Sequence, residues 1–141
     1  MDKQPLFHLA FPVSDLDATK KFYENVLQCR RGREADTWVD FDFFGHQISA
    51  HLKPGACAAS PTNPVDGDGV PVRHFGCILT MAQWHAVRDR IAAAGIEFLI
   101  EPKIRFNGEV GEQATFFVLD PSGNGLEFKA FGHRDHIFQS T

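Results

Sequence analysis

Two histidines at equivalent places in the two halves of the chain could bind one metal ion. His8 opens an apolar run that continues to Val13, and His74 opens a similar run in the second half. In each copy a hydroxyl residue, Ser14 or Thr80, follows the histidine by six positions. This recurrence predicts a duplicated unit in which the two histidines have the same structural position.

The alternation of side chains along a strand predicts that the carboxylate of Glu127 lies on the same side of the sheet as the two histidines. In the last predicted strand, 125–131, the apolar neighbours of Glu127 take the helix side of the sheet, so Glu127 takes the opposite side. The same alternation puts His8 and His74 on that opposite side. Two imidazoles and one carboxylate suit Fe(II), Mn(II) or a similar divalent ion and leave positions open for substrate and for oxygen or water. The plainer alternatives are structural histidines and a surface ion pair between Glu127 and Lys129.

A third histidine could transfer protons beside such an ion. Ser49 aligns with Glu127 in the repeat, and His51 shares the strand face of Ser49, so both are predicted to line the same cavity. A neutral imidazole near a metal moves protons at neutral pH, which predicts a general acid–base role for His51, with a fourth metal ligand as the alternative. His46 has the opposite parity and is predicted to be a turn or core residue.

Ser49 is a candidate for contact with substrate, and so are three further residues. Arg105 falls on a predicted loop and could meet an anionic group, although a solvated loop arginine is an equal alternative. Trp38 and Phe117 could line an aromatic pocket, although aromatic side chains are more often simply core. No GxSxG, P-loop, GxGxxG or CxxC motif is present, which leaves serine hydrolase, NTPase and dinucleotide functions without support.

Each half of the chain shows the elements of a βαβββ unit. In the first half, alternation predicts a strand over 6–13, a capping box of Ser14 with Asp17, and a helix to about residue 27. Three strands follow, near 29–33 and over 37–44 and 46–52, the last two joined by a turn at Gly45. Residues 53–72 are rich in Pro, Gly, Ala and Asp and predict a linker or a long surface loop.

The second half repeats this order. A strand over 74–79 precedes a capping box of Thr80 with Gln83 and a helix that stops at Gly95. A strand over 96–100 ends at Pro102, and a glycine-containing loop is predicted over 104–112. Strands over 113–119 and 125–131 flank a turn at 120–124. The prediction is one α+β domain over 1–141, with modules at about 6–53 and 73–131, a linker at about 54–72 and a tail at 132–141.

Composition narrows the possible functions. The chain has 141 residues, of which 43% are hydrophobic and 23% charged, as expected for one globular domain. A net charge of −4 favours neither nucleic acid nor an anionic membrane, and no apolar run approaches a membrane span. Three cysteines without a CxxC pair and a polar N-terminus without a signal-peptide core predict a cytoplasmic protein.

At these residues the sequence resembles the vicinal oxygen chelate superfamily, which includes glyoxalase I, fosfomycin-resistance thiol transferases, bleomycin-resistance proteins and extradiol dioxygenases. The resemblance lies in HLAFPVSDLDATKKFYENVL, FFGHQISAHL, VRHFGCIL and FFVLDPSGNGLEFKAF, which with the intervening elements span almost the whole chain. It is greatest to small proteins described as predicted extradiol-dioxygenase-like. The resemblance implies paired βαβββ modules that form a cupped mixed sheet around a metal site, commonly in a homodimer.

The resemblance also assigns roles to individual residues. The superfamily's metal ligands fall on His8, His74 and Glu127. The fourth ligand of glyoxalase I falls on Ser49, which argues against a four-ligand site, whereas the acid–base histidine of extradiol dioxygenases falls on the strand of His51. Those dioxygenases also have a tyrosine where Phe117 stands here, and this departure weakens the expectation of catechol cleavage. Bleomycin-binding relatives have lost the metal ligands that this sequence retains.

The sequence therefore predicts a metal-dependent enzyme, with an Fe(II) extradiol-dioxygenase-like reaction on a small substrate that chelates the metal through two neighbouring oxygens. Mn(II), Zn(II) and Ni(II) are alternative metals. Two other functions stay open: a glyoxalase-like lyase, isomerase or thiol transferase, and a small-molecule binding or resistance protein without turnover.

Overall fold

The computed structural model describes residues 3–140, which form two compact units. The first unit contains residues up to 58 together with the turn Asp120–Gly123. The second contains residues 59–119 and the residues that follow 123. The predicted tail extends to Thr141, which lies outside the described residues.

The described residues contain ten strands and two α-helices. The first unit has helix α1 (Leu16–Lys20), which continues as π-helical turns over Lys21–Val26, and strands β1 (His8–Val13), β2 (Arg30–Ala35), β3 (Trp38–Phe43) and β4 (His46–Leu52). The second has helix α2 (Met81–Ala93) and strands β5 (Thr62–Val65), β6 (Asp68–Pro71), β7 (His74–Ile78), β8 (Ile100–Arg105), β9 (Gln113–Leu119) and β10 (Gly125–Phe131). No helix of residues 3–140 is both long enough and apolar enough to span a membrane.

The two units have the same sheet topology, which confirms the predicted α+β duplication. The first sheet has the order β1-β4-β3-β2 and the second β7-β10-β9-β8, and in each the first strand runs parallel to its neighbour. His8 pairs with Gln47 in the first sheet, and His74 pairs with Gly125 in the second. The strand registers therefore place the two histidines in equivalent positions, as their sequence context predicts.

The first unit buries one face of its sheet under the helical segment. Tyr23 is fully buried, stacks on Phe41 and contacts Phe11. The predicted capping box is wrong in detail, because Asp15 rather than Ser14 caps helix α1 by accepting from the Ala18 amide at 3.0 Å. A carboxylate is a strong acceptor at a helix N-terminus, where it also meets the positive end of the helix dipole.

The second unit packs α2 against β10 and β9. Thr80 and Gln83 form the predicted capping box, and Gly95 follows the helix with a φ of 73°, a left-handed conformation that glycine adopts without steric cost. Trp84 is buried and donates its indole N–H to the Phe128 carbonyl at 3.0 Å. This bond satisfies the one polar atom of a large buried side chain.

The segment predicted as a linker contains a hairpin, so that prediction is wrong for residues 62–71. Strands β5 and β6 pair antiparallel around Asp66 and Gly67, whose φ values are 45° and 87°. Two consecutive positive φ angles define a type I′ turn, for which Asp-Gly is a favoured sequence. The hairpin buries Val70 in a cluster with Ile100 and Phe117.

The fourth strand of the second sheet begins and ends later than predicted. Strand β8 includes Pro102 and continues to Arg105, which was expected on a loop. The pairing of β8 with β9 shifts between Ile100 and Lys103, and β8 is an edge strand. A proline is tolerated at an edge or a bulge because no partner needs its missing N–H, so Pro102 does not end the strand.

Candidate metal centre

Two of the predicted metal ligands face each other in the second unit. His74 begins β7 and Glu127 lies in β10, and these strands are parallel neighbours. The Nε2 atom of His74 is 3.2 Å from the Oε1 atom of Glu127. Their side chains keep 30% and 13% of their full exposure, so the pair is sheltered yet reachable from solvent.

The other polar side-chain atoms of His74 and Glu127 form hydrogen bonds with neighbouring residues. The Nδ1–H of His74 donates to the Pro71 carbonyl at 2.7 Å, and the Thr115 hydroxyl donates to Oε2 of Glu127 at 2.6 Å. A protonated Nδ1 in the neutral ring leaves the Nε2 lone pair for an ion. Metal-binding histidines characteristically donate their second nitrogen to a carbonyl or carboxylate in this way.

The contact between His74 and Glu127 shifts the pKa of both side chains. The hydrogen bond with Glu127 raises the pKa of His74 above its ordinary value of 6.5, and partial burial opposes this only in part. Burial alone would raise the pKa of Glu127, but hydrogen bonds from His74 and Thr115 lower it below 4.5. The carboxylate therefore stays charged, as a metal ligand must be.

The arrangement fits a divalent first-row ion. Two N or O ligands about 2.1 Å from such an ion and at right angles to each other are about 3 Å apart, close to the observed separation. An imidazole nitrogen and a carboxylate oxygen are a donor pair common to iron, manganese and zinc sites. Across residues 3–140, no three or more histidine, cysteine, aspartate or glutamate side chains form a group that could hold a metal ion. The structure thus brings together His74 and Glu127, while His8 belongs to the first unit.

Phe117 lies beside this pair. It is directly opposite Glu127 in the β9–β10 register and is 1% exposed. Its ring meets the His74 imidazole edge to face, with the ring centres 4.9 Å apart. Phe117 therefore forms an apolar wall that restricts the rotation of the His74 ring.

His8 is held in the first unit in a similar way. Its Nδ1 donates to the side-chain oxygen of Gln47 at 2.8 Å, which leaves Nε2 as the ring's lone-pair atom. The Gln47 amide lies 3.5 Å from Asp40, and the Ser49 hydroxyl donates to Asp40 at 2.5 Å. The candidate substrate residue Ser49 is therefore buried and hydrogen-bonded to a carboxylate.

The other first-unit candidates differ in their surroundings. His51 is exposed and pairs with Trp38 across β3 and β4, and its side chain forms no hydrogen bond within residues 3–140. Trp38 is half-buried, and the Arg33 guanidinium lies 6.0 Å from its ring centre. His46 begins β4 and accepts a hydrogen bond from the Phe7 amide at 3.0 Å, so its ring is satisfied as predicted, although it lies in a strand and not in a turn.

Arg105 is not a solvated loop residue. It ends β8, is 2% exposed, and donates to Asp68 at 3.0 Å and to the Val65 carbonyl at 2.8 Å. Lys103 donates to the same Asp68 carboxylate at 2.9 Å. The guanidinium therefore anchors the β5–β6 hairpin to β8, which corrects the expectation that it stands on a loop to meet substrate.

Sequence reasoning missed the partners that orient the candidate ligands. Gln47 lies two residues before Ser49 on the same face of β4, and Asp40 lies opposite Ser49 on β3, so strand parity and the β3–β4 register would have found them. Thr115 lies two residues before Phe117 on the same face of β9. The Pro71 carbonyl had no such signal, because its contact depends on a hairpin that was not predicted.

Comparison with known proteins identifies the family. The profile of the Glyoxalase/Bleomycin resistance protein/Dioxygenase superfamily matches residues 6–128, which is most of the chain. The chain belongs to this superfamily. Its members are often metal-dependent enzymes.

Individual relatives share the whole fold. A glyoxalase/bleomycin resistance protein/dioxygenase from Alicyclobacillus acidocaldarius is 31% identical, with a TM-score of 0.78 over 97% of this chain and 98% of that one. The virulence protein STM3117 of Salmonella typhimurium is 26% identical over 88% of this chain and 82% of its own length. The fosfomycin resistance protein FosX of Listeria monocytogenes is 19% identical, with a TM-score of 0.70 over 94% of this chain and 97% of that one, and shares the fold alone.

Proposed function

We propose that this superfamily member is a metal-dependent enzyme with an Fe(II) extradiol-dioxygenase-like reaction on a small substrate that chelates the metal through neighbouring oxygens. The observation that carries the proposal is the His74–Glu127 pair, whose Nε2 and Oε1 atoms are 3.2 Å apart. Both residues are fixed by further hydrogen bonds, as metal ligands usually are. His8, which has the equivalent place in the first sheet, is the proposed third ligand.

Each of these residues would have a definite task. A bound divalent ion would supply Lewis-acid chemistry and, as Fe(II), the electrons for oxygen activation. His74 and Glu127 would hold it from β7 and β10, with Pro71 and Thr115 fixing their orientation. Phe117 would keep water from one side of the pair, because its buried ring covers the His74 imidazole.

His51 is the proposed proton carrier. Its ring is exposed and hydrogen bonds to none of the described residues, so both nitrogens are available to a substrate hydroxyl or a water. An imidazole changes protonation near neutral pH, which suits a group that takes a proton from a chelating hydroxyl and returns it later.

Oxygen consumption tests the reaction. Protein purified without oxygen and loaded with Fe(II) is given catechol and substituted catechols, and oxygen uptake is recorded with ring-cleavage absorbance. The proposal expects uptake that depends on a chelating substrate and falls by about 100-fold or more in His51→Ala with metal content unchanged. The exposed histidine of helix α2 gives a matched control, His85→Ala, which should keep full activity. Turnover of glyoxalase-type substrates without oxygen uptake would contradict the dioxygenase assignment.

We also propose a cellular compartment and an oligomeric state. Cys29, Cys57 and Cys77 are free thiols, which suits a reducing cytoplasm where Fe(II) is also maintained. A homodimer is the proposed state. Light scattering coupled to size-exclusion chromatography tests this, and a monomer at micromolar concentration would contradict it.

A further inference from the structure

An open groove in the second unit lies beside the candidate ligand His74. Its volume is about 470 Å³, and the β5–β6 hairpin and the two residues after it form its walls. The apolar wall consists of Val65, Val70, Pro71 and Val72. Val65 and Val72 keep 36% and 43% of their exposure, so apolar surface is open to solvent at the groove.

The polar lining of this groove is small and carries positive charge. Asn63 and Arg73 line it, and His74 closes one end. The Arg73 guanidinium is exposed and forms no hydrogen bond or ion pair within residues 3–140, unlike Arg105, which is committed to Asp68. An apolar groove with a few polar groups and one uncommitted guanidinium is suited to an organic anion, because that group binds a planar oxyanion through two parallel hydrogen bonds.

The hairpin that forms the groove is held rigidly. Asp68 receives hydrogen bonds from Lys103 and Arg105, and Val70 packs in the core against Ile100 and Phe117. The carbonyl that orients the His74 ring belongs to Pro71, so one residue both lines the groove and positions the candidate metal ligand. A wall fixed in this way loses little freedom on binding, which favours small ligands.

We propose that this groove binds the non-chelating part of the substrate, and that the substrate is therefore a small organic oxyanion, a carboxylate or phosphonate, with an apolar body. Arg73 binds the anionic group, Asn63 donates to it from the hairpin, and Val65 and Val72 cover the apolar body. The inference rests on the proposed function for the position of the metal, and it adds the substrate class and a specificity-determining arginine.

Three simple probes test the groove in the metal-free full-length protein. Phenylacetate and benzylphosphonate carry an apolar ring and an anion of each kind, and 2-phenylethanol has the ring without the charge. Binding is followed by backbone amide shifts in NMR titrations. We expect both anions to change the chemical shifts of the backbone amides within 63–74, and one anion to bind more tightly than the other. Arg73→Gln should weaken the binding of both anions by roughly 10-fold or more without affecting the binding of 2-phenylethanol.

Matched variants separate this inference from the proposed function. Arg88→Gln removes the same charge from helix α2 of the same unit, away from the groove, and should leave anion binding unchanged. Val72→Ser should weaken all three probes, since it removes apolar contact. The metal content of Arg73→Gln should equal that of the unaltered protein, because Arg73 belongs to the groove and not to the metal site. Loss of metal in Glu127→Ala therefore tests the metal site separately from the groove.

Several results would overturn the inference. Equal binding of the anions to the unaltered protein and to Arg73→Gln would remove the arginine from the site. Shifts confined to residues outside 63–74 would place the ligand elsewhere. A concentration-dependent dimer that Val72→Asp dissociates would show that a second copy of the chain covers the groove.

Discussion

The imidazole of His74 and the carboxylate of Glu127 meet across a parallel strand pair, with Nε2 and Oε1 3.2 Å apart. Each side chain is fixed on its far side, His74 by the Pro71 carbonyl and Glu127 by the Thr115 hydroxyl. The pair thus presents one nitrogen and one oxygen to the same point, which is the geometry that a shared ion or a shared proton requires.

This pairing predicts a pH dependence of the stability of the metal-free protein. The raised pKa of His74 gives stability that is complete below 6.5 and is lost as pH rises through the raised value. The lowered pKa of Glu127 gives stability that is complete above 4.5 and is lost as pH falls through the lowered value. The pair's contribution to the free energy of unfolding should therefore be greatest between about pH 4.5 and pH 6.5. Urea denaturation across this range checks it, and a profile that Glu127→Gln leaves unchanged would contradict it.

Thr115 should control metal affinity without being a ligand. Thr115→Val removes the hydroxyl that holds Oε2 of Glu127 while keeping a side chain of similar size. Loss of such an outer contact characteristically weakens metal binding by about 10- to 100-fold. Competition with a chromophoric chelator measures the affinity, and Thr115→Ser, which restores the hydroxyl, should recover most of it. Full affinity in the valine variant would show that Glu127 needs no such support.

Gly76 should be indispensable to the same strand pair. A Cβ atom added at Gly76 would lie 1.5 Å from the carbonyl oxygen of Glu127, so β7 and β10 would have to separate. Gly76→Ala should destabilise the fold by about 1–3 kcal/mol or more and weaken metal binding. Gly69→Ala is the matched control, because its Cβ would meet Thr62 at an ordinary 3.6 Å. Thermal unfolding and metal titration of the two variants make the comparison, and equal behaviour would refute the close approach.

The elements with clear side-chain alternation were predictable from the sequence, and the contacts between distant segments were not. Strands β4, β9 and β10 have their predicted bounds, because turn residues stand near their ends and, in β4 and β10, apolar and polar residues alternate. The β5–β6 hairpin was missed although Asp66-Gly67 is a hairpin signal, since Pro64 and the surrounding glycines suggested a loop.

The candidate site was predictable only in its principal residues. Repeat position and parity identified His74 and Glu127, and these are close together in the second unit. Arg105 was misplaced because Pro102 suggested an early strand end, and the ion pair between the buried Arg105 and the half-buried Asp68 leaves no local pattern in the sequence. Hydrogen bonds to backbone carbonyls, such as that of His74 to Pro71, depend on the tertiary fold and have no residue type as a signal.

Tyr23, the single tyrosine, should be structural rather than catalytic. It is fully buried, and its hydroxyl donates to the Asp120 carboxylate at 2.9 Å within the first unit. Tyr23→Phe leaves a buried carboxylate with one hydrogen bond fewer, which should cost about 1–3 kcal/mol of unfolding free energy. Chemical denaturation measures the loss. Metal content and turnover of the folded variant should be unchanged, and selective loss of turnover would show a catalytic role.

The most direct test of the metal centre is elemental analysis of protein purified without oxygen. Four proteins are compared: the unaltered chain, His8→Ala, Glu127→Ala and the control His85→Ala. We expect near-stoichiometric iron or manganese in the unaltered protein and the control, and loss of that metal from His8→Ala and Glu127→Ala while both remain folded. Full metal occupancy in the Glu127→Ala protein, or no metal in the unaltered protein after reconstitution with Fe(II), would contradict it.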